Sequence, residues 1–226
     1  MIKQRKKLSV RKMAIVGVLG GLSIALGLTP LGFIPVGPTR ATIMHIPVII
    51  GGILEGPLVG GLIGLIFGLS SIFQAATNPT PVSFVFLNPL VSVLPRVLIG
   101  IVAHYVYKGA KNLGENKTLG LFRLLWIGII FYLSYGIYNG IKLDNGIGAI
   151  ITNIILIALT LIFGIYGQKK LKGNANSVVI AAILGTLTNT VGVLSMIYFI
   201  HGEKFVKGLG QNPDMARKII FGIGIT

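Results

Sequence analysis

Residues 38–71 read PTRATIMHIPVIIGGILEGPLVGGLIGLIFGLSS, and this stretch decides the fold. Two long apolar runs are separated only by the turn Glu55-Gly56-Pro57, and glycine recurs along the second run. Arg40 and His45 stand at the start of the first run. An ionised residue inside a membrane helix costs roughly 2.5–3.5 kcal/mol on insertion scales, so such residues usually serve a function. The stretch therefore predicts two membrane helices with candidate binding residues at their entrance.

The composition indicates a membrane protein. Hydrophobic residues make up 53% of the 226 residues and charged residues 11%, whereas soluble domains carry about 25% charged residues. The formal net charge is +15, but the basic residues flank apolar runs, which argues against a nucleic-acid partner. The chain has no cysteine and only scattered histidines, so we expect no metal and no cofactor.

Eight apolar runs predict an all-α integral membrane protein with a single membrane domain over residues 1–226. A crossing helix needs about 17–25 apolar residues. The stretch Gln74–Asn88 is expected to re-enter or cap the bundle, and His201–Lys218 is expected to form an outer loop. The predicted helices are Met13–Leu28, Thr42–Leu54, Leu58–Phe73, Leu90–Tyr107, Leu121–Ile141, Ile147–Gly167, Val178–Ile200 and an incomplete one from Ala216 to Thr226.

Basic residues predict the orientation. Lys and Arg cluster before the first helix, between the fourth and fifth helices, and after the sixth. These clusters fall on one side if every helix crosses, and the positive-inside rule makes that side cytoplasmic. We therefore predict a multi-pass protein of the cell membrane with a cytoplasmic N-terminus. No GxxxxGK[ST] motif occurs, so ATP hydrolysis that drives transport would take place in another chain.

Three stretches, in this order, resemble the substrate-binding (S) components of energy-coupling factor (ECF) vitamin transporters. They are residues 38–71, PVSFVFLNPLVSVLPRVLIG at 81–100 and GTLTNTVGVL at 185–194. The IMHIPVIIG form is most similar to pantothenate-type members, with riboflavin, pyridoxine or another micronutrient as alternatives. The resemblance implies a six-helix bundle that binds a small vitamin and is not an enzyme. Its partners would be a membrane-embedded coupling subunit (the T component) and two ATPases.

The chain departs from that family pattern in two places. Residues 121–167 predict an inserted helix pair between the helices of residues 13–107 and those of residues 178–226. Family members continue with a full last helix, whereas the final apolar run here has 11 residues. That length is too short to cross a membrane and favours a truncated reading frame.

Six polar residues are candidate substrate ligands. Arginine forms bidentate pairs with carboxylates, but an arginine near a helix end is also a common headgroup anchor, so both interpretations stay open. A lone histidine is either a structural residue or a ligand. An unpaired amide in mid-helix is costly, so Asn189 is expected to bond a neighbouring helix or a ligand. The six candidates are Arg40, His45, Asn78, Asn88, Arg96 and Asn189.

Small residues recur along the first helix at Ala14, Gly17, Gly21 and Ala25. They permit close helix contact, either within the bundle or with a partner, and the S-component resemblance implies docking of the coupling subunit here. A membrane enzyme and a stand-alone secondary transporter are the competing classes. The predicted helices lack the paired acid and base groups of an enzyme. Glu55 alone gives little support to ion coupling, and we interpret it as a turn cap.

Overall fold

The structure is a computed structural model that describes residues 9–29, 32–36, 39–80, 82–142, 147–170, 175–210, 212, 216 and 220. Within these residues, five helical segments are long and apolar enough to cross a membrane, which confirms an all-α membrane fold with one short hairpin. The elements in chain order are α1 (Val10–Leu28), β1 (Phe33–Val36), β2 (Thr39–Thr42), α2 (Ile46–Glu55), α3 (Pro57–Thr77), a 3-10 helix (Ser83–Leu87), α4 (Pro89–Ser92), α5 (Leu94–Asn112), α6 (Glu115–Lys142), α7 (Ile147–Lys170) and α8 (Ala175–Gly208).

Glycines allow α2, α3 and α5 to pack backbone against backbone. A side-chain carbon added at Gly60 would lie 2.7 Å from the Cα of Gly52 and 2.9 Å from the Cα of Gly100. One turn further along α3, Gly64 faces the backbone of Arg96. Only glycine fits at such contacts, because any side chain would force the helices apart. The remaining core of this region is apolar and consists of Met44, Val48, Ile49, Val59, Ile63, Phe67, Ile99 and Ala103.

The turn between α2 and α3 depends on Gly56, whose φ of 104° is unfavourable for residues with a side chain. Pro57 follows at the first position of α3, where its missing N–H has no cost. The preceding residue, Glu55, accepts a 2.8 Å hydrogen bond from Nη2 of Arg11. The turn therefore lies beside the start of α1.

Helix α8 packs along α5 and reaches the segment that precedes it. Gly185 lies against the side chains of Ile49 and Ala103, and Gly192 lies against Pro95. Further along, α8 forms a second apolar core with the 3-10 helix and α4. The stretch Gln74–Asn88, expected to re-enter or cap the bundle, thus begins as the end of α3 and contributes the 3-10 helix to this core. The buried members of the core are Val85, Val91, Ile197, Phe205, Val206 and Ile220.

Helices α6 and α7 pack against each other beside this bundle. Helix α6 meets the bundle at its first turns, where the hydroxyl of Thr118 donates to the carbonyl of Ala110 at 2.6 Å. Phe122, which is 1% exposed, stacks on Trp126 with ring centroids 5.2 Å apart. The later turns of α6 are largely exposed.

The second predicted helix was wrong at its start. Residues Thr39–Thr42 form β2, which pairs antiparallel with β1, and the helix begins at Ile46. Pro47 occupies its first turn, the position that proline tolerates. The resulting 10-residue helix is about 15 Å long, which is too short to cross a bilayer alone.

Most other helices extend a few residues beyond their predicted ends, and two differences are larger. The fourth helix is interrupted at Val93, between α4 and α5, because Pro95 cannot donate a backbone hydrogen bond. The seventh helix does not stop at Ile200 but continues to Gly208, so the first part of the predicted outer loop is helical. Burial of Phe205 and Val206 explains this extension. The eighth predicted helix is described at Ala216 and Ile220, which are helical, and its other residues lie outside the described part.

Candidate functional site

Arg96 is buried in the first turn of α5 with no ion pair in the described part of the chain. Its side chain is 6% exposed. Nη1 donates to the carbonyl of Val91 at 2.6 Å, whereas Nε has no hydrogen-bond partner. Burying an uncompensated charge costs several kcal/mol, and an orphaned buried donor adds to that cost. The arrangement is therefore suited to a bound anion, and it contradicts the interpretation of Arg96 as an exposed helix-end anchor.

Proline and two aromatic rings explain how Arg96 is held. Val91 would normally bond to the N–H four residues later, but that residue is Pro95, so the Val91 carbonyl is free to accept from Arg96. The guanidinium carbon lies over the rings of Phe67 and Phe86, 5.6 Å from each centroid. This distance is within the range of cation–π attraction.

His45 is the residue immediately before α2, not one turn inside it as predicted. Its Nε2 lies 3.1 Å from the hydroxyl oxygen of Thr186 on α8, and that hydroxyl also donates to the carbonyl of Ala182 at 2.9 Å. Nδ1 of the ring is buried without a well-formed hydrogen bond, and the backbone of Thr42 lies close to the ring. His45 therefore links α2 to α8, and its Nδ1 is available for a stronger hydrogen bond.

Asn189 lies one turn beyond Thr186 on the same face of α8. Its side-chain oxygen is buried without a hydrogen-bond partner, so within the described residues nothing supports its interpretation as a bond between helices. Gly192, on the next turn, lies against Pro95, the neighbour of Arg96. Asn189 thus lies on α8 between the turn that contacts His45 and the turn that packs against Pro95. We call the elements that carry His45, Arg96 and Asn189 the junction of α2, α5 and α8, and each of these residues has a buried polar atom without a hydrogen bond.

The other two asparagines make contacts within their own segments or with α8. Asn78 is exposed at the end of α3, where its amide nitrogen lies 3.3 Å from the hydroxyl of Thr77. Asn88 precedes α4, and its side-chain oxygen accepts from the Leu90 N–H at 3.0 Å, which is a typical N-cap. Its amide nitrogen is 3.5 Å from Nε2 of His201. Neither residue is joined to Arg96 by a described contact.

Arg40 lies in β2, opposite Pro35 of β1. The prediction placed it at the start of a helix, and the hairpin corrects that position. Its side chain lies outside the described part, so its proposed contact with a carboxylate stays a prediction.

A groove of about 350 Å³ lies elsewhere, between α1 and α3, and none of the six candidate residues lines it. Its lining is mainly apolar, and its Gln74 already donates to the Gly27 carbonyl at 2.6 Å. The groove therefore lacks the free polar groups that the junction of α2, α5 and α8 offers.

Comparisons with known proteins identify the family. The family model described as "ECF transporter, substrate-specific component" matches residues 11–167. The chain belongs to this family. The membrane location and the assignment as a transporter component, not an enzyme, are thereby confirmed.

Two curated relatives of this S component are described as pantothenate transporters. The pantothenic acid transporter PanT of Lactococcus lactis subsp. cremoris (strain MG1363) is 37% identical over 89 residues, which cover 33% of this chain and 45% of the relative. The pantothenate transporter PanT of Leuconostoc mesenteroides subsp. mesenteroides is 34% identical over 131 residues, 58% of each chain. The chain spans about half the length of the curated relatives it matches.

The small-residue stripe of the S component faces away from its own bundle. Ala14, Gly17, Gly21 and Ala25 are all exposed, and a side-chain carbon at Gly17 or Gly21 would meet nothing within 4 Å in the described residues. The buried face of α1 consists instead of Gly20, Ser23 and Gly27. The stripe is therefore free for contact with lipid or with another protein.

Sequence reasoning missed several residues of the site. Thr186 was inside a quoted motif but was not recognised as the partner of His45. Phe67 lies within residues 38–71, and nothing in that stretch marks it as part of a site. The spacing of Val91 and Pro95 was a usable signal, because a proline four residues after a helical residue leaves a carbonyl free. Another missed contact joins Nδ1 of His104 to the carbonyl of Gly52 at 3.1 Å.

Proposed function

We propose that this S component captures a small carboxylate-bearing vitamin, with pantothenate favoured, for uptake driven by ATP hydrolysis in partner subunits. The observation that carries the proposal is the buried guanidinium of Arg96, which has an unused N–H and no described counter-ion. A carboxylate supplies both the charge and the acceptor that are missing there. The two relatives named as pantothenate transporters support this substrate over riboflavin and pyridoxine.

In the proposed complex, each unused polar atom of the junction has a counterpart on the vitamin. Arg96 pairs with the carboxylate, while Asn189 and His45 bond the hydroxyl and amide groups. The hairpin β1–β2 precedes α2 in the chain and carries Arg40 as a second cationic residue. Asn78 and Asn88 stay predicted ligands at the ends of the neighbouring segments.

The first test is titration calorimetry of purified protein with pantothenate, riboflavin and pyridoxine. Hydrogen bonds to charged groups contribute about 1.5–3 kcal/mol, so Arg96→Met is expected to weaken pantothenate binding by about ten- to a hundredfold. The matched control is Arg11→Met, which removes an arginine that is 80% exposed and should leave affinity unchanged. Tight binding of a neutral vitamin that Arg96→Met does not affect would refute both substrate and role.

The hairpin arginine has its own test. Arg40→Ala is expected to weaken binding by about ten- to a hundredfold on the same reasoning. Arg40→Lys should recover only part of the affinity, because lysine lacks the planar guanidinium. An Arg40→Ala variant with wild-type affinity would show that Arg96 acts without it.

We also propose that the coupling subunit and its two ATPases engage this chain through the stripe of Ala14, Gly17, Gly21 and Ala25. Small residues permit the close backbone approach that drives association in lipid. Gly21→Leu should abolish copurification of the partners and transport but leave vitamin binding intact. The control is Leu22→Phe, which adds bulk to a neighbouring exposed position outside the stripe. Survival of the complex in Gly21→Leu would contradict the proposal.

The proposed orientation places the N-terminus in the cytoplasm. The pair Arg11–Glu55 brings the start of α1 and the α2–α3 turn to the same end of the bundle, and the basic end of α5 with Lys108 and Lys111 is expected there. Because the chain has no cysteine, single cysteines at Ser9 and Asn78 can be labelled selectively. Only the cysteine at Asn78 should react with an impermeant reagent in intact cells, and the opposite pattern would invert the topology.

A further inference from the structure

We propose that Phe67 and Phe86 are positioning residues that hold the Arg96 guanidinium for a carboxylate and so determine the preference for an acid over a neutral ligand. The inference rests on the proposed function and adds two residues to its site. Both ring centroids lie 5.6 Å from the guanidinium carbon, and the rings come from different segments, α3 and the 3-10 helix. We call Phe67 and Phe86 the aromatic brace.

The contacts of the guanidinium determine which of its sides a ligand can use. Nη1 is engaged by the Val91 carbonyl, and Nε has no acceptor within the described residues. A carboxylate that binds an arginine from the side uses Nε together with the neighbouring Nη2, in two parallel hydrogen bonds. The arrangement therefore favours a planar anion at the Nε side, which a hydroxyl or amide cannot replace with equal strength.

The aromatic brace supplies partial compensation for a charge that would otherwise be buried alone. Ring faces attract a cation by about 0.5 kcal/mol at exposed sites and about 2 kcal/mol when desolvated. Unlike a carboxylate partner, they occupy none of its N–H groups. Arg96 can thus stay charged while the site is empty and still offer its free donors to an incoming anion.

Phe86 is itself held in place by α4. The hydroxyl of Ser92, which is fully buried, donates to the carbonyl of Phe86 at 2.5 Å. The same short helix provides Val91, whose carbonyl holds Arg96. The four-residue helix α4 therefore fixes the position of the Phe86 ring relative to the Arg96 guanidinium. Phe86 is part of this packed segment and is not an isolated aromatic facing lipid.

The experiment compares pantothenate with panthenol, its alcohol analogue that lacks the carboxylate, by calorimetry on purified protein. Phe86→Leu should weaken pantothenate binding by up to about 30-fold, because a guanidinium that has lost the ring must be ordered again when the carboxylate binds, and should leave panthenol binding unchanged. Phe86→Tyr should keep the preference for pantothenate over panthenol, because tyrosine retains the aromatic ring. The matched control is Phe84→Leu on the same 3-10 helix, whose ring contacts His201 edge-on. Phe67→Leu tests the second ring, with heat stability measured in parallel because Phe67 is 2% exposed.

Each outcome decides a separate question. Equal weakening of both ligands by Phe86→Leu, or no weakening at all, would overturn the aromatic brace while leaving the pantothenate site intact. If the wild type binds no carboxylate vitamin, the proposed function fails, and a double-mutant cycle of Arg96→Met with Phe86→Leu on heat stability still tests the brace. Additive effects in that cycle would overturn it, whereas coupling would retain the cation–ring contact.

Discussion

The α2–α3–α5 core and the α6–α7 pair contain similar apolar and glycine-rich sequences but use them differently. In the core, Gly60, Gly64 and Gly100 lie directly against the backbone of another helix. In the pair, Gly136 and Gly164 lie against side chains of the facing helix, Asn153 and Trp126, whereas side-chain carbons at Gly120 and Gly128 would meet nothing within 4 Å in the described residues. Glycine content therefore does not by itself indicate packing. The partner surface decides whether a glycine brings two helices together or lies open toward lipid.

Hydrogen bonds of two kinds occur in the bundle. Ser23 of α1 donates to the carbonyl of Met44, and Gln74 of α3 donates to that of Gly27, whereas Ser70 and Thr77 of α3 donate within their own helix. In the later turns of the α6–α7 pair, Ser134 and Thr160 donate to carbonyls four residues earlier in their own helices. Bonds of the first kind fix helices relative to one another, whereas bonds of the second kind satisfy a hydroxyl in lipid and constrain nothing else.

The largest loss of stability is expected when a large side chain replaces a glycine of the α2–α3–α5 core. In Gly64→Leu, the added side chain meets the Arg96 backbone and the Cα of Val97, so α3 and α5 must separate. Overpacking typically costs 1–3 kcal/mol, and a rigid backbone neighbour places this site at or above about 3 kcal/mol. We expect loss of the folded peak in size-exclusion chromatography after mild heating, together with loss of vitamin binding.

The matched control for Gly64→Leu is a variant of the α6–α7 pair. Gly128→Leu adds the same side chain at an open position of α6 and should leave both heat stability and binding at the wild-type level. If Gly64→Leu were as stable as Gly128→Leu, the contrast between the two regions would be wrong.

The sequence predicted the helices of both regions, because long apolar runs leave few alternatives in a bilayer. It did not predict the hairpin, since Thr39–Thr42 has no alternating pattern that separates it from the following apolar run. It named Arg96 but left open whether the residue was an anchor. That question depended on the position of Phe67, Phe86 and the Val91 carbonyl around it, which only the packing of α3, α4 and α5 defines.

A second prediction concerns removal of the pair, which we propose to be an insertion outside the binding core. A deletion that joins Lys111 to Gly173 should keep vitamin affinity within about threefold, which corresponds to about 0.7 kcal/mol. The reason is that the polar junction is built from α2, α5 and α8. Heat stability should fall, because Thr118 and Phe122 are buried at the joint with the bundle.

Calorimetry and thermal melting of the deletion variant check this expectation together. Phe122→Ala in the full chain is the matched variant. It weakens the contact between α6 and the bundle but keeps both helices, so it shows how much of the stability loss comes from that contact. A deletion variant that folds but does not bind pantothenate would show that the pair belongs to the binding core.

The smallest effect is expected at the one described ion pair that ties α1 to the α2–α3 turn. Arg11 is 80% exposed at its side chain, while Glu55 is 9% exposed. Exposed pairs of this kind contribute about 0–1 kcal/mol, and Gln at position 55 retains an oxygen that can accept the same hydrogen bond. Glu55→Gln should therefore change heat stability only slightly and more so at low salt, where screening is weakest. It should also leave transport unchanged, because we interpret Glu55 as part of a turn. Loss of uptake in Glu55→Gln with normal binding and normal partner copurification would instead favour ion coupling through Glu55, and would assign a transport role to the α2–α3 turn.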